Sequence, residues 1–251
     1  MADITTRNRE HFDLELSSQV ASSHQDTWAP FIQAVIEELK ERRLWISAKL
    51  GSDSNSTDGK DPVKLLDYAC GSGTVSKALI PYVTEAVGVD LSANMVAEYN
   101  KWAEGLDGHA HAKAHAFQCD LLAEPQPRDP VLCDFDIAVV CAALHHVADP
   151  EGLLRRLSKT LRPGGVCVVL DRVFSDERPE LLLGTDLPEP ARNVLQTINK
   201  HGFTEEDMRR YFHGAGMGRN FEFVVIERPF KVTLFGQEME LKSFIARGEV
   251  A

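Results

Sequence analysis

Two glycines near an acidic residue form the part of this sequence best suited to bind a nucleoside. Residues 65–74 read LLDYACGSGT, so an apolar run reaches Asp67 and is followed by a turn of small residues with Gly71 and Gly73. Glycine lets the backbone turn sharply and lets a ligand approach main-chain N–H groups without a Cβ in the way. About 20 residues further on, an apolar run ends in Asp90, whose carboxylate can accept hydrogen bonds from two ribose hydroxyls. The spacing predicts a nucleoside cofactor.

The glycine turn does not by itself identify the nucleoside. A dinucleotide-binding fingerprint has a third glycine where this sequence has Ser76. A nicotinamide-dependent oxidoreductase would also need a proton-relay set such as Tyr-x-x-x-Lys, and Tyr99 and Tyr211 lack that lysine. Such an oxidoreductase is one alternative function, and a non-catalytic cofactor-binding module on the same fold is another.

The order of several segments resembles the class I S-adenosylmethionine-dependent methyltransferases. The first motif of that family has an acidic residue and small residues at alternating positions, here Asp67, Ala69, Gly71 and Gly73. Ala69 stands where the family usually has glycine, so we expect the backbone there to have a φ that alanine tolerates. The resemblance covers roughly residues 62–171. It implies S-adenosylmethionine as the cofactor and methyl transfer to a small organic acceptor as the activity.

The resemblance also implies which residues bind the cofactor. Asp67 is expected to hold the methionine end, Asp90 the ribose and Asp120 the adenine amino group. Further contacts to the cofactor are implied for four residues near these strand ends: Leu91, Met95, Leu121 and Cys141. Cys141 could instead be a nucleophile or a metal ligand, but we favour a small apolar residue at the end of a core strand.

Two histidines, His145 and His146, directly follow the predicted fourth strand, where the resemblance places the transferable methyl group. Either imidazole could act as a general base toward a hydroxyl or another protonated nucleophile, or both could only shape the pocket. A second histidine group, His109, His111 and His115, is not expected to bind a metal. Positions two apart do not share a helix face, and no nearby acid or cysteine completes a ligand set. We therefore predict no metal site.

Alternating strands and helices are expected to position these residues. They alternate from residue 63 to residue 170, which predicts right-handed crossovers and a parallel sheet. Residues 221–227 and 241–247 are predicted as two final strands, separated by a turn at 235–237, and their hairpin would add one antiparallel strand. We expect an α/β fold: a single Rossmann-like methyltransferase domain with a seven-stranded, mostly parallel sheet, one antiparallel strand and helices on both faces.

The chain is predicted to consist of three consecutive segments, the last of which contains this sheet. Residues 1–50 are predicted as an N-terminal helical lid, in which apolar spacing indicates an amphipathic helix over 27–46 with Pro30 in its first turn. Residues 51–61 are polar and of low complexity, which predicts a flexible loop. The methyltransferase domain would occupy 62–251, with a proline-rich substrate cap at about 172–203.

The composition limits the classes of partner. The 251 residues carry a formal net charge of -11, which argues against nucleic acid because phosphate binding relies on clustered positive charge. Apolar runs of about 5–8 residues are too short to span a bilayer. The polar first residues give no secretory signal, and the five scattered cysteines are typical of reduced thiols. We expect a cytoplasmic enzyme with a small-molecule acceptor. The sequence predicts neither the oligomeric state nor the methylated atom.

Overall fold

The computed structural model describes residues 3–15, 21–51, 62–106, 112–124, 132–175, 195–234 and 237–251. The strands in these ranges are β1 Lys64–Tyr68, β2 Glu85–Asp90, β3 Lys113–Gln118, β4 Phe135–Cys141, β5 Leu161–Arg172, β6 Arg219–Val225, β7 Phe230–Leu234, β8 Gln237–Leu241 and β9 Ser243–Glu249. The α-helices are α1 Ile4–Glu15, α2 Ala21–Glu41, α3 Arg43–Ile46, α4 Thr74–Leu79, α5 Ala93–Glu104, α6 Pro150–Ser158 and α7 Glu205–Gly214.

Seven strands form one sheet in the order β3-β2-β1-β4-β5-β9-β6. The strands β1 to β5 pair in parallel, while β9 is antiparallel to both β5 and β6. This arrangement confirms the predicted Rossmann-like α/β fold with one antiparallel strand. Because β1, β2 and β4 run in the same direction, the residues that follow them meet at one edge of the sheet.

The C-terminal strands differ from the prediction in one respect. The antiparallel neighbours β6 and β9 are not joined by a simple turn, because β7 and β8 form a separate two-stranded sheet between them. Phe230 on β7 contacts Phe31 on α2, with ring centroids 5.4 Å apart. This long-range contact supports the extra hairpin. The predicted turn at 235–237 falls on residues 235–236, which lie outside the described residues.

The helix predicted over 27–46 ends at the expected residue, Ile46, but it begins earlier than predicted and is divided in two. The helix α2 begins earlier, at Ala21, so Pro30 lies in its interior rather than in its first turn. Arg42 then interrupts the helix before the short α3. An interior proline removes one backbone hydrogen bond. Burial of Val35 and Leu39 in the core offsets that loss.

The sheet is covered on both faces, as predicted. Successive residues of a strand point to opposite faces, so Leu65 lies in one apolar core with α2 and α4. Leu66 lies in the other core, with α6 and α7. Both cores contain residues of β4 and β5, the central strands. The centre of the sheet is therefore tightly packed on both faces next to the strand ends that carry the predicted site residues.

Parts of the predicted covering segments lie outside the described residues. These are residues 52–61 of the polar loop and residues 176–194 of the cap, together with His109 and His111. Among the described helices, none combines the length and apolar character that crossing a bilayer requires.

Candidate functional site

A cavity of about 230 Å³ lies where β1, β2 and β4 end, and α1 covers one side of it. Most of the predicted site residues line this cavity: Asp67, Ala69, Gly71, Asp90, Leu91, Met95, Asp120, Cys141 and His146. Three predicted residues do not line it: Gly73, Leu121 and His145. The topology brings the first group together because each member lies at or just after the end of a strand or at the start of the next helix.

The Asp90 carboxylate has the acceptor capacity that a ribose diol requires. Its Oδ2 accepts a hydrogen bond from the Gly71 N–H at 2.8 Å, and its Oδ1 accepts one from the Ser92 N–H at 2.9 Å. A carboxylate offers about four lone-pair sites, so each oxygen can accept a further hydrogen bond. Burial raises the pKa of Asp90, while the backbone hydrogen bonds oppose that rise.

Gly71 provides the space that a ligand needs beside Asp90. Its φ of 50° lies in the left-handed region that favours glycine. A Cβ built at Gly71 would meet no atom within 4 Å, so the backbone here borders open space. Gly73 has a structural role instead. It is the N-cap residue of α4, and a Cβ there would lie 3.1 Å from the Tyr99 ring. The residues present therefore fit a nucleoside cofactor.

Asp67 is buried and held by a neighbour that the sequence analysis left without a role. Its Oδ2 accepts hydrogen bonds from the Ser76 N–H at 3.0 Å and the Ser76 hydroxyl at 2.7 Å. Tyr99 in turn donates its hydroxyl proton to Ser76 Oγ at 2.7 Å. Burial raises the pKa of Asp67 to about 7, although the Ser76 hydrogen bonds act in the opposite direction. Asp67 can therefore change charge near neutral pH, and a nearby cation would favour its ionised form.

The third acid, Asp120, follows β3. Its Oδ1 accepts a hydrogen bond from the Leu122 N–H at 2.9 Å. Leu122 lines the cavity, whereas Leu121 is buried in the core under the sheet. Both leucines lie in a turn that follows β3, so the sequence alone did not show which of them faces the ligand.

Two alanines at the cavity have backbone angles that alanine seldom adopts. Ala69, directly after β1, has a φ of 54°, and Ala142, directly after β4, has a φ of 51°. Both line the cavity. The expectation of a well-tolerated φ at Ala69 was therefore wrong, because a left-handed conformation costs a non-glycine residue about 1 kcal/mol. Strain of this kind is concentrated at functional sites.

His146 lines the cavity as a neutral base. Its Nδ1 lies 2.9 Å from the Thr197 carbonyl oxygen, and a carbonyl only accepts, so Nδ1 carries the proton. The remaining nitrogen, Nε2, then has a free lone pair. Burial lowers the pKa of His146 well below its ordinary value, and the neighbouring His145 lowers it further. The ring is therefore uncharged at neutral pH.

His145 is directed to a different partner and does not reach the cavity. Its Nδ1 lies 2.8 Å from Asp171 Oδ1, and its backbone N–H donates to Asp171 Oδ2 at 3.2 Å. Burial alone would raise the pKa of Asp171, but His145 and Arg172 lower it below its usual range. Of the two predicted catalytic histidines, the structure thus brings only His146 to the cavity.

The Cys141 thiol is not prepared for nucleophilic attack. Burial raises its pKa well above the ordinary value, with the acids Asp67 and Asp171 adding to the rise. The thiol is protonated at neutral pH, which supports the interpretation as a strand-ending apolar residue. Within the described ranges, histidine, cysteine, aspartate and glutamate side chains form no group of three that could hold a metal ion.

The helix α1 contributes residues to the cavity, of which the sequence analysis missed Thr5 and Asn8. Thr5, Asn8 and Phe12, at positions i, i+3 and i+7, line the cavity from one face of this helix. The Asn8 Nδ2 donates to the His146 carbonyl at 2.8 Å. The Phe12 ring meets the His146 ring edge-on, with centroids 5.4 Å apart. The helix lacks a continuous apolar stripe, so periodicity gave no signal for this role.

The known sequences to which this chain is similar include several methyltransferases. Residues 66–167 match the family model described as a methyltransferase domain. A protein of Schizosaccharomyces pombe named as an uncharacterized methyltransferase is 31% identical over 159 residues, 63% of this chain and 54% of that protein. A ubiquinone biosynthesis O-methyltransferase of Idiomarina loihiensis is 32% identical over 120 residues, 47% of this chain and 45% of the relative. The chain thus spans about half the length of these curated relatives.

Solved methyltransferase structures have a fold similar to that of this chain. A crystal structure of an S-adenosylmethionine-dependent methyltransferase from Anabaena variabilis has a TM-score of 0.69 at 19% identity, covering 100% of this chain and 96% of that one. The magnesium protoporphyrin IX methyltransferase of Synechocystis, with bound S-adenosylhomocysteine, has a TM-score of 0.60 at 15% identity, covering 99% of this chain and 100% of that one.

Proposed function

Because the chain belongs to the class I S-adenosylmethionine-dependent methyltransferases, we propose that it transfers a methyl group from S-adenosylmethionine to a small organic acceptor. The observation that carries the proposal is that Asp67, Asp90 and His146 line one cavity at the ends of parallel strands. The family match argues against the nicotinamide-dependent oxidoreductase considered from the sequence. The ionisable and strained groups at the cavity argue against a non-catalytic module.

The chain's acids would hold the cofactor by charge and by hydrogen bonds. Asp90 accepts from the ribose hydroxyls with the lone pairs that Gly71 and Ser92 leave free. Asp67, in its ionised form, favours the ammonium group at the methionine end. Asp120 accepts from the adenine amino group. When bound, S-adenosylmethionine supplies an electrophilic methyl group on a sulfonium.

His146 suits an acceptor that has an acidic hydroxyl. A neutral imidazole with a lowered pKa is a weak base, so it removes protons effectively only from relatively acidic groups. A phenolic hydroxyl, with a pKa of about 10, meets this condition far better than an aliphatic alcohol. Several relatives named as ubiquinone biosynthesis O-methyltransferases also support oxygen as the methylated atom. We therefore propose O-methylation of a small phenolic acceptor, with His146 Nε2 taking the hydroxyl proton.

The covering segments would control access to this chemistry. Residues 1–50 act as a helical lid, in which α1 supplies Asn8 and Phe12 to the cavity wall. Residues 62–251 form the methyltransferase domain, and the cap at about 172–203 contributes to the choice of acceptor, since specificity is carried by loops on a rigid sheet. Arg172 and Phe203 border this cap.

Ligand binding and methyl transfer together test the proposal. Isothermal calorimetry should show binding of S-adenosylhomocysteine and none of NAD. Single turnovers with S-adenosylmethionine labelled in its methyl group should then transfer label to members of a phenol panel. Binding of NAD without S-adenosylhomocysteine would refute the cofactor assignment. Binding of S-adenosylhomocysteine with label transfer only to amines or thiols would refute the assignment of oxygen.

A further inference from the structure

A buried hydrogen-bond acceptor in the cavity wall has no partner among the described residues. Asn8 is only 5% exposed, and its Oδ1 accepts no hydrogen bond from them. Buried polar atoms are almost always satisfied in folded proteins, so an exception requires an explanation. Here Asn8 lines the same cavity as His146.

The orientation of the Asn8 amide is fixed by its other end. The His146 carbonyl can only accept, so the atom 2.8 Å from it must be Nδ2. A rotation that exchanged the two ends would place two acceptors in contact. The oxygen therefore points away from the His146 backbone, and no donor reaches it from the described part of the chain.

No described group of the cavity wall donates to Asn8 Oδ1, and this includes the hydroxyl of Thr5 on the same helix. The residues that follow β4 and surround His146 are apolar there, namely Ala142, Ala143, Val147 and Ala148. Phe12, one turn further along α1, presents an aromatic ring. An O–H or N–H group brought by a ligand is what would complete the site.

We propose that Asn8 selects the methyl acceptor: its Oδ1 accepts a hydrogen bond from a second O–H or N–H group that the acceptor carries beside the hydroxyl to be methylated. This inference rests on the proposed function and adds the substrate class, a phenol with a neighbouring donor. Asn8 is a specificity-determining residue, and its Nδ2 bond keeps it next to the backbone of His146.

Such an acceptor atom discriminates strongly. A site built to receive a hydrogen bond rejects an analogue without the donor by a factor of about 10⁴ in favourable cases, because the buried atom is then left unpaired. A methyl group of similar size would fill the space but leave Asn8 Oδ1 unsatisfied. The preference between a hydroxyl and a methyl group therefore reports on this atom.

The test uses two matched pairs of probe acceptors: 1,2-dihydroxybenzene with 2-methylphenol, and 1,3-dihydroxybenzene with 3-methylphenol. The kcat/KM for methyl transfer is measured for the wild type, Asn8→Leu, Asn8→Asp and the control Glu10→Gln, an exposed position on the same helix. Asn8→Leu removes the acceptor atom at similar volume. Asn8→Asp retains an acceptor oxygen and, in the protonated form that burial favours, also keeps an O–H donor to the His146 carbonyl. S-adenosylhomocysteine affinity is measured for each variant by calorimetry.

We expect the wild type and Glu10→Gln to prefer one dihydroxybenzene over its methylphenol by at least about 100-fold. Asn8→Leu should reduce this preference to about threefold or less, while Asn8→Asp keeps at least about tenfold. S-adenosylhomocysteine affinity should stay within about threefold throughout.

The assignment would be overturned by a wild-type preference below tenfold, including no transfer to any probe, by a preference that survives in Asn8→Leu, or by an equal loss in the Leu and Asp variants. A tenfold loss of S-adenosylhomocysteine affinity in Asn8→Leu would also overturn it, because the oxygen would then serve the cofactor. Failure of the wild type to bind S-adenosylhomocysteine at all would instead refute the proposed function.

Discussion

The Asp13 carboxylate accepts a hydrogen bond from the Ser92 hydroxyl at 2.6 Å, which links the end of α1 to the start of α5. Asn94 strengthens this link, since its Nδ2 donates to the Asp13 carbonyl at 2.6 Å. The Ser92 N–H also donates to Asp90, the acid proposed to hold the ribose. The helix that covers the cavity is thus held in place next to the carboxylate that we propose binds the cofactor.

Breaking this link should speed ligand release. Asp13→Ala removes a charge-assisted hydrogen bond, worth roughly 1–2 kcal/mol at a partly exposed site, so S-adenosylhomocysteine should dissociate about tenfold faster. Association should also accelerate, because α1 opens more often, and the equilibrium affinity should change less than either rate. Stopped-flow displacement measures both rates. Ser92→Ala is less informative, since Ser92 also caps α5 by accepting from the Met95 N–H.

Glu10→Gln, exposed on the same helix, serves as the control for Asp13→Ala. Dissociation rates that agree within twofold between the two variants would show that α1 does not govern release.

Loss of the Asp90 carboxylate should weaken cofactor binding. Asp90→Ala removes the acceptor proposed for both ribose hydroxyls, and we expect S-adenosylhomocysteine affinity to fall by about 2–3 kcal/mol in calorimetry. Adenine alone, which lacks the ribose, provides the matched ligand control and should lose nothing. An unchanged affinity for S-adenosylhomocysteine in a folded variant would rule out the ribose role.

Cofactor affinity should depend on pH through Asp67. The pKa of about 7 means that this carboxyl gains its negative charge as the pH rises through 7. Because the charged form attracts the cationic ammonium group, S-adenosylhomocysteine affinity should increase about tenfold between pH 6 and pH 8 and then level off. Asp67→Asn, which stays uncharged, should remove this increase. A variant that retains the full pH dependence would assign it to another group.

The pH–rate profile should identify the base. From the unperturbed value, the sequence predicts an acid limb near 6.5, but burial lowers the pKa of His146, so the limb should lie below 6.5. His146→Gln should reduce single-turnover transfer by about 100- to 10,000-fold and abolish the limb. His145→Gln should keep the limb, since His145 does not line the cavity. A loss below tenfold in His146→Gln, with the limb intact, would leave positioning alone as the mechanism.

Relief of backbone strain should stabilise the protein. Ala69→Gly places the residue that tolerates a φ of 54° at that position, and the free energy of unfolding should rise by about 1 kcal/mol. Ala97→Gly, at an exposed position inside α5, is the control and should lower it by a similar amount. Urea denaturation measures both. A destabilised Ala69→Gly variant would show that strain at Ala69 is not the dominant effect.

The acids of the site could be predicted because they depend on topology alone. Parallel strands end at the same edge of a sheet, so Asp67, Asp90 and Asp120 meet wherever the strands pair in the usual order. The choice between adjacent residues could not be predicted. His146 rather than His145, and Leu122 rather than Leu121, face the cavity because of how each chain segment leaves its strand.

Features that depend on distant partners were also missed. Asn8 reaches the site only because α1 crosses the cavity, and its sequence neighbours give no sign of this. The β7–β8 hairpin is stabilised by the contact of Phe230 with Phe31, far away in the sequence. Local propensity carries no information on such pairs, and tertiary contacts decide the structure.

The contact between Phe31 and Phe230 has a consequence for biosynthesis. Phe31 belongs to the cavity wall, yet its aromatic partner Phe230 lies in β7, which is translated long after α2. A nascent chain emerges from the ribosome with its N-terminal part first. Phe31 therefore gains its aromatic partner only after β7 has been synthesised, so ribosome-bound intermediates that lack β7 should hold this part of the cavity wall less firmly and retain ligand poorly.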